Sequence, residues 1–517
     1  MQRSPVPAIL LVLLFANAVA MLFFRYFTTV DGPLHVFHAS LLPAPWTTAT
    51  HLSHGVIYNA NAMHGWLGDR ALMVLLAFFP PERTHALFAA MVSCALTLSM
   101  IMFHRANGAR IRPATLWLLP VTFNFVLLLG LFHFILAVAI GFGTAAWWKA
   151  RGHEPVARWL GALMGLVVAY YTHRFGPVLV CMLLLPAFVV ELLQERTTGT
   201  RVSHRRVLTR AMIASVLLAM CVLFIARFLQ APPLPNVNDL PEINDFALLR
   251  PLYLVDHVQE QWVIRCVGVL LLASITVGIG ARLKLGRKIY WHDAVLALSI
   301  GSILLTWLFS APSASMQLVA ERSQWLAFLM ITNWIIAVAD VPQKFTAWTI
   351  GGAALCVVPL QLVRLFQAEA TFAELEDAHH STMEASAALE PGSLIMPVLA
   401  NHHWLFQHEV SYVAIDHDGI VLSAKESVPY ICEDGKPHTA GWLRIRLDPY
   451  WLLRHWRSGI PVEIDQVLFI GNGIDEKVAK HPWPVILNGR FEVSFENEYS
   501  RIYTRVSDQV PVAEDKH

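Results

Sequence analysis

The run Asp31-Gly32-Pro33-Leu34-His35-Val36-Phe37-His38 sets one carboxylate and two imidazoles directly after an apolar stretch of membrane length. If the run is helical, Asp31 and His35 stand four apart and His35 and His38 three apart, on or near one face. Asp31, His35 and His38 would then offer a ligand set for a divalent cation such as Mg or Mn. Alternatively, Asp31 would act as a general base on a hydroxyl or amine acceptor, with His35 tuning it. The same residues also suit an interfacial helix that Asp31 caps, with Pro33 in its first turn. The loop stays polar through His51, His54, Tyr58, Asn59, Asn61, His64 and Asp69, which is more hydrogen-bonding capacity than a tether needs.

Other polar groups recur along the chain. Glu82, after Pro80-Pro81, is a candidate second acid, or with Arg83 simply marks a helix start. His173-Arg174 falls in a tight turn after Tyr170-Tyr171-Thr172, where a cation suits an anion such as a lipid phosphate or snorkels to the interface. Glu321-Arg322 precedes an apolar helix, and charges at membrane depth are expensive and commonly functional. Arg322 would clamp a diphosphate leaving group and Glu321 would orient it; an ion pair to another span is the rival reading. His408, near Asn401-His402-His403-Trp404, would receive a sugar or phosphate. Phosphate-binding glycine loops, His-Glu-x-x-His and Cys-x-x-Cys do not occur, so ATP-driven transport and zincin-type proteolysis have no support.

The elements that carry these residues are hydrophobic. Of 517 residues 56% are hydrophobic and 15% charged, the composition of an integral membrane protein. The net charge of +1 creates no global field for nucleic acid. Five of six cysteines lie in or beside apolar segments as small core residues. Candidate spans are 6–24, 85–103, 114–129, 131–148, 157–172, 176–194, 209–229, 260–281, 292–310, 323–340 and 346–363. The first has no clear cleavage site and is read as a retained helix; 69–80 is too short to span. Eleven crossings put the chain ends on opposite sides. Clusters such as Arg196/Arg201/Arg205/Arg206/Arg210 and Arg282/Lys284/Arg287/Lys288 then fall on the N-terminal side, which makes it cytoplasmic. The parity depends on 114–148, where Asn124, Gly130 and His133 argue for a break, tolerated only where protein covers the backbone.

Beyond 363 the character changes. The stretch 365–390 is acidic and Ala-rich, read as a solvent-exposed helix that Pro391-Gly392 ends. Short strand-like runs follow at Ser393–Leu399, Ser411–Ile415, Ile420–Ser423, Trp442–Leu447, Gln466–Phe469, Pro484–Leu487 and Phe491–Phe495. The expected architecture is a multi-pass α-helical membrane bundle over 1–364, with outward loops 25–84 and 230–259. A small extracytoplasmic α/β or mostly β domain follows over 365–517.

This layout resembles the GT-C superfamily of membrane glycosyltransferases, which carry a catalytic acid in the first non-cytoplasmic loop. Asp31 occupies that position, Glu82 stands in for the second acid, and Glu321-Arg322 is similar to the charged group near the carrier phosphate. The paired acidic motif of some members is absent. Asp31-Gly32-Pro33-Leu34-His35 also looks like a motif of bacterial membrane proteins with this layout. The resemblance implies transfer of a sugar from a polyprenyl-phosphate-linked donor to a glycan, lipid or protein acceptor, outside the cytoplasmic membrane. Asp31 would take the acceptor proton while Arg322, with Arg174 or a metal, neutralises the leaving phosphate. A flippase for a lipid-linked saccharide would use the same arginines without a base, and a non-enzymatic envelope assembly protein would use neither.

Overall fold

The computed structural model describes residues 6–40, 42, 56–58, 65–197, 249–255, 257–284, 291–308, 319–340, 343–390, 393–416, 420–421, 430–432 and 464–506. The span expected at 209–229, the strand at 442–447 and most of the loop 230–259 lie outside them. The chain divides into two compact units, 1–24 with 89–371 and 25–88 with 372–517. The first loop therefore groups with the C-terminal part, whereas the sequence reading grouped it with the bundle.

The helices, in order, are α1 (Val6–Leu14), α2 (Ala16–Phe23), α3 (Gly32–Ser40), α4 (Trp66–Leu76), α5 (Pro81–Ala106), α6 (Leu119–Thr122), α7 (Phe125–Leu128), α8 (Phe132–Ala150), α9 (Pro155–Thr172) and α10 (Gly176–Thr197). They continue as α11 (His257–Lys284), α12 (Trp291–Leu308), α13 (Val319–Ala339), α14 (Lys344–Glu384), α15 (Val410–Asp416), α16 (Ile474–Ala479) and α17 (Trp483–Leu487). Among the described residues, four helices are long and apolar enough to cross a membrane: those beginning at Pro81, Phe132, Val258 and Lys344. The molecule is thus a multi-pass helical protein with a small strand-containing unit.

In the bundle unit, α8, α9 and α10 pack on one another, and α12 packs on α13. The stretch 114–129 is not one helix. A 3-10 turn at Pro113–Leu118 leads into α6 and α7, and Gly130 takes a left-handed φ of 76° before α8. Asn124 breaks the run because its side chain accepts from Val126 N and Leu127 N at 2.8 and 3.2 Å, capping α7. The irregular backbone is covered by protein donors. Val121 O accepts from Trp325 Nε1 at 3.0 Å and Asn124 Nδ2 at 2.7 Å, Leu119 O from Asn17 Nδ2 at 2.8 Å, and Thr122 O from Ser93 Oγ at 3.1 Å. Without water in a hydrocarbon core, such groups need these partners.

In the second unit, strands β1 (Val56–Tyr58), β2 (Leu394–Leu399), β3 (Ile420–Val421), β4 (Tyr430–Cys432), β5 (Gln466–Ile470), β6 (Phe491–Glu496) and β7 (Ser500–Arg505) form two sheets. One pairs β1 with β4, and the other has the order β3-β2-β5-β7-β6. β2 runs parallel to β3 and β5, while β5–β7 and β7–β6 are antiparallel. The strand β5 is buried throughout, as a central strand covered on both faces must be. The sequence reading missed β7. It also took 411–415 and 484–487 as strands, but both are helical. Their buried side chains recur at helical spacing, Val410 with Val413 and Trp483 with Ile486 and Leu487.

Helix α3 joins the core of this unit. Leu34 and Phe37, one turn apart, are buried with Val410, Val413, Ile395, Leu468, Ile470 and Ile502. The acidic stretch 365–390 is not a separate exposed helix. It continues α14, whose buried stripe of Phe372, Leu375 and His379 follows a three- and four-residue period.

Candidate functional site

Asp31 is the residue before α3, and its carbonyl accepts from His35 N at 3.0 Å, the bond that opens the helix. Its side chain is only 12% exposed and lies, through Oδ1, 3.5 Å from His408 Nε2. The expected sugar or phosphate ligand His408 is therefore placed as a partner of the acid. Members of the expected cation trio face different groups: Asp31 meets His408, and His35 brings a ring nitrogen within 4.8 Å of an Asp69 carboxylate oxygen. The reason is local. Asp31 precedes the helix, so its side chain does not continue the face that His35 begins. His38 is buried near the end of α3.

The start of α3 is fixed by close approach. Thr29 Oγ1 accepts from Gly32 N at 3.0 Å and lies 3.0 Å from His85 Nε2, whose Nδ1 lies 2.7 Å from the Tyr412 hydroxyl. One ring nitrogen donates and the other accepts in either tautomer, so the chain Gly32–Thr29–His85–Tyr412 is satisfied. A Cβ on residue 32 would collide with His85 and Thr29, so glycine is required there.

A second buried network surrounds Glu409, which has no exposed surface. The Tyr26 hydroxyl donates to its carboxylate, with oxygens at 2.8 and 2.7 Å, and His379 Nδ1 approaches the same group. The Tyr26 ring stacks on His379 at 4.4 Å between centroids and 21° between planes. On the far side of the imidazole, Nε2 lies 3.9 Å from Glu82 Oε1. Glu82 sits in the first turn of α5 behind Pro81, so it both suits a helix N-terminus and faces a cation. Burial, then the charge of Glu409, raises the Tyr26 and Tyr412 hydroxyls well above the ordinary phenol value, so both stay protonated.

The cationic candidates lie in the bundle unit, where Phe134 joins two of them. The Arg322 guanidinium sits 5.4 Å from the Phe134 ring centre, and the His173 ring meets the same phenyl edge-on at 5.7 Å. His173 also stacks on Phe175, over which Arg174 lies at 5.8 Å. Glu321 and Arg322 are half-buried in the first turn of α13. Aromatic faces hold guanidinium groups by cation–π attraction.

Sequence reasoning missed Glu409, His379, Tyr26, His85 and Thr29. It also missed Glu260 and Arg364, both buried in the bundle unit with Arg364 Nε 3.5 Å from Glu260 Oε2. Glu260 accepts from Leu254 N and Val255 N, and Arg364 bonds Leu252 O and Gln361 Oε1. A charged residue inside an apolar run, as at 364, was the available signal.

No protein-family model matches the chain, and no curated protein matches its sequence. Among solved structures, it is similar to ArnT from Cupriavidus metallidurans bound to undecaprenyl phosphate. The match has a TM-score of 0.51 and 12% sequence identity, and covers 97% of each chain. The likeness therefore extends over nearly all of both chains and is one of fold.

Proposed function

We propose that the protein transfers a sugar from a polyprenyl-phosphate-type lipid carrier to an acceptor at the outer face of the cytoplasmic membrane. The observation that carries this reading is the sheltered Asp31 carboxylate, oriented by His408 at the start of the first helix after the first apolar segment. An acceptor hydroxyl would attack the anomeric carbon as Asp31 takes its proton. The bond from that carbon to the carrier phosphate oxygen would break, and the phosphate would leave with the electron pair. Glu82 is assigned as the second acid. Arg322, Arg174 and His173 are assigned to the carrier phosphate, with Glu321 orienting Arg322. A charge that develops on the leaving group is stabilised by fixed cations in a dry site.

Fold-level likeness to an undecaprenyl-phosphate-bound protein supports the lipid carrier. His35 and Asp69 offer nitrogen and oxygen donors that fit a divalent cation, which would supply further charge neutralisation. The lysine and arginine bias supports an eleven-span chain with a cytoplasmic N-terminus.

The test uses full-length protein in nanodiscs, a set of undecaprenyl-phosphate-linked sugars and an envelope extract as acceptor. Undecaprenyl phosphate should be released with label moved to the acceptor, and an Asp31→Asn protein should lose this. Equal release by the variant, or translocation in vesicles without cleavage, defeats the transfer reading.

A further inference from the structure

Glu409 and His379 are buried, and the reaction above assigns neither of them a step. Buried ionised groups persist only when paired and hydrogen-bonded. Here Tyr26 donates to the Glu409 carboxylate, and His379 Nδ1 approaches the same group. With Nδ1 protonated, His379 donates to that carboxylate. Its Nε2 faces a second carboxylate, Glu82, at 3.9 Å, so the imidazole lies between two carboxylates, which favour its protonated form.

We propose that the Glu409–His379 pair is a positioning unit for the transfer reaction, holding Glu82 on one side and, through the adjoining residue His408, the Asp31 carboxylate on the other. The proposal rests on the sugar-transfer reading. The covalent link is short: Glu409 follows His408 directly. The turn that carries both is fixed by Glu409 N to Phe406 O at 3.1 Å and Ser411 N to His408 O at 3.0 Å. A carboxylate anchored at 409 thus holds the backbone from which the imidazole at 408 extends.

The surroundings of His379 are consistent with a charged ring. Glu409 faces it from the turn before α15, Glu82 from the first turn of α5, and Tyr26 from the segment after α2. Tyr412 of α15 meets it edge-on at 5.9 Å, and Glu376 and His380 neighbour it on α14. His379 lies sixteen positions beyond the apolar stretch 346–363, in the charged part of its helix. Burial opposes its protonation, but the hydrogen bond and charge of Glu409, then Glu82 and Glu376, outweigh it and raise the imidazole above its ordinary value. The imidazolium is present at lower pH and lost as pH rises through that raised value. Glu82 loses its cationic neighbour over the same interval.

Two measurements on the full-length protein in nanodiscs decide the matter. The first follows the histidine ring signals by NMR, with the His379 signal identified by its loss in His379→Gln. Glu82→Gln should move the His379 titration to lower pH, while Glu374→Gln, an exposed position on α14, should leave it in place. An unmoved titration in Glu82→Gln overturns the positioning unit. The second is the pH profile of sugar transfer. Wild type should fall on an alkaline limb that matches the His379 titration, and His379→Gln should lack that limb, with kcat lower by about a hundredfold and KM little changed. A uniform loss with the limb retained would indicate a purely structural pair and overturn the proposal. The NMR arm needs no sugar donor, so absent transfer in wild type counts against the transfer reading separately.

Discussion

His408 Nε2 stands 3.5 Å from Asp31 Oδ1, and both side chains are largely sheltered from solvent, at 18% and 12% exposure. Their positions in the chain lie far apart, and only the folded second unit brings them together. If Asp31 is the base and His408 its orienting partner, removing the acid should cost more than removing the imidazole. Asp31→Asn should lower kcat by about 10²–10⁴-fold, and His408→Ala by about tenfold, with melting temperatures near wild type. Single-turnover transfer rates would measure this, and a larger loss in His408→Ala would reverse the assignment.

Gly32 lies where a Cβ would meet the His85 ring and the Thr29 hydroxyl. Gly32→Ala should destabilise the protein by about 1–3 kcal/mol, the usual cost of overfilling a packed site. Thermal melting in detergent checks this. Because the strain falls on the Gly32–Thr29–His85–Tyr412 chain, an alanine protein that melts like wild type would mean that the chain gives way easily.

Asn124 is a cap within apolar surroundings, accepting from two backbone N–H groups and donating to Val121 O at 2.7 Å. Asn124→Ala should cost about 1–2 kcal/mol or more, since these groups have no water to turn to. Asn124→Asp should keep the acceptor but lose the donor, and melt between the two. Equal melting of all three proteins would remove the capping argument.

Arg364 and Glu260 form a buried pair in the bundle unit. Arg364→Met strands the Glu260 carboxylate and should cost about 3–5 kcal/mol. The double change Arg364→Met with Glu260→Gln should recover part of that loss, because no unpaired charge remains. A double-mutant cycle on melting would report the coupling, and strictly additive losses would contradict the pairing.

Much of the frame was legible because hydrophobic length and period are local properties. Apolar runs from 85, 131 and 346 correspond to α5, α8 and the first half of α14, and strands β2, β5 and β6 fall close to their expected runs. The break at Asn124 and Gly130 was legible for the same reason, since a capping side chain and a left-handed glycine act on their own neighbours. The acid at 31 stood out from its place beside the first apolar segment. What surrounds it was not legible. Tyr26 and Glu409 are 383 positions apart, and His85 and Tyr412 are 327 apart. A histidine in an acidic, Ala-rich stretch reads as solvent-facing until the fold places it against a buried carboxylate. The sequence determined which segments could leave water and which residues could carry charge. The tertiary structure decided which charges were desolvated and paired, because desolvation depends on what packs around a group from distant parts of the chain.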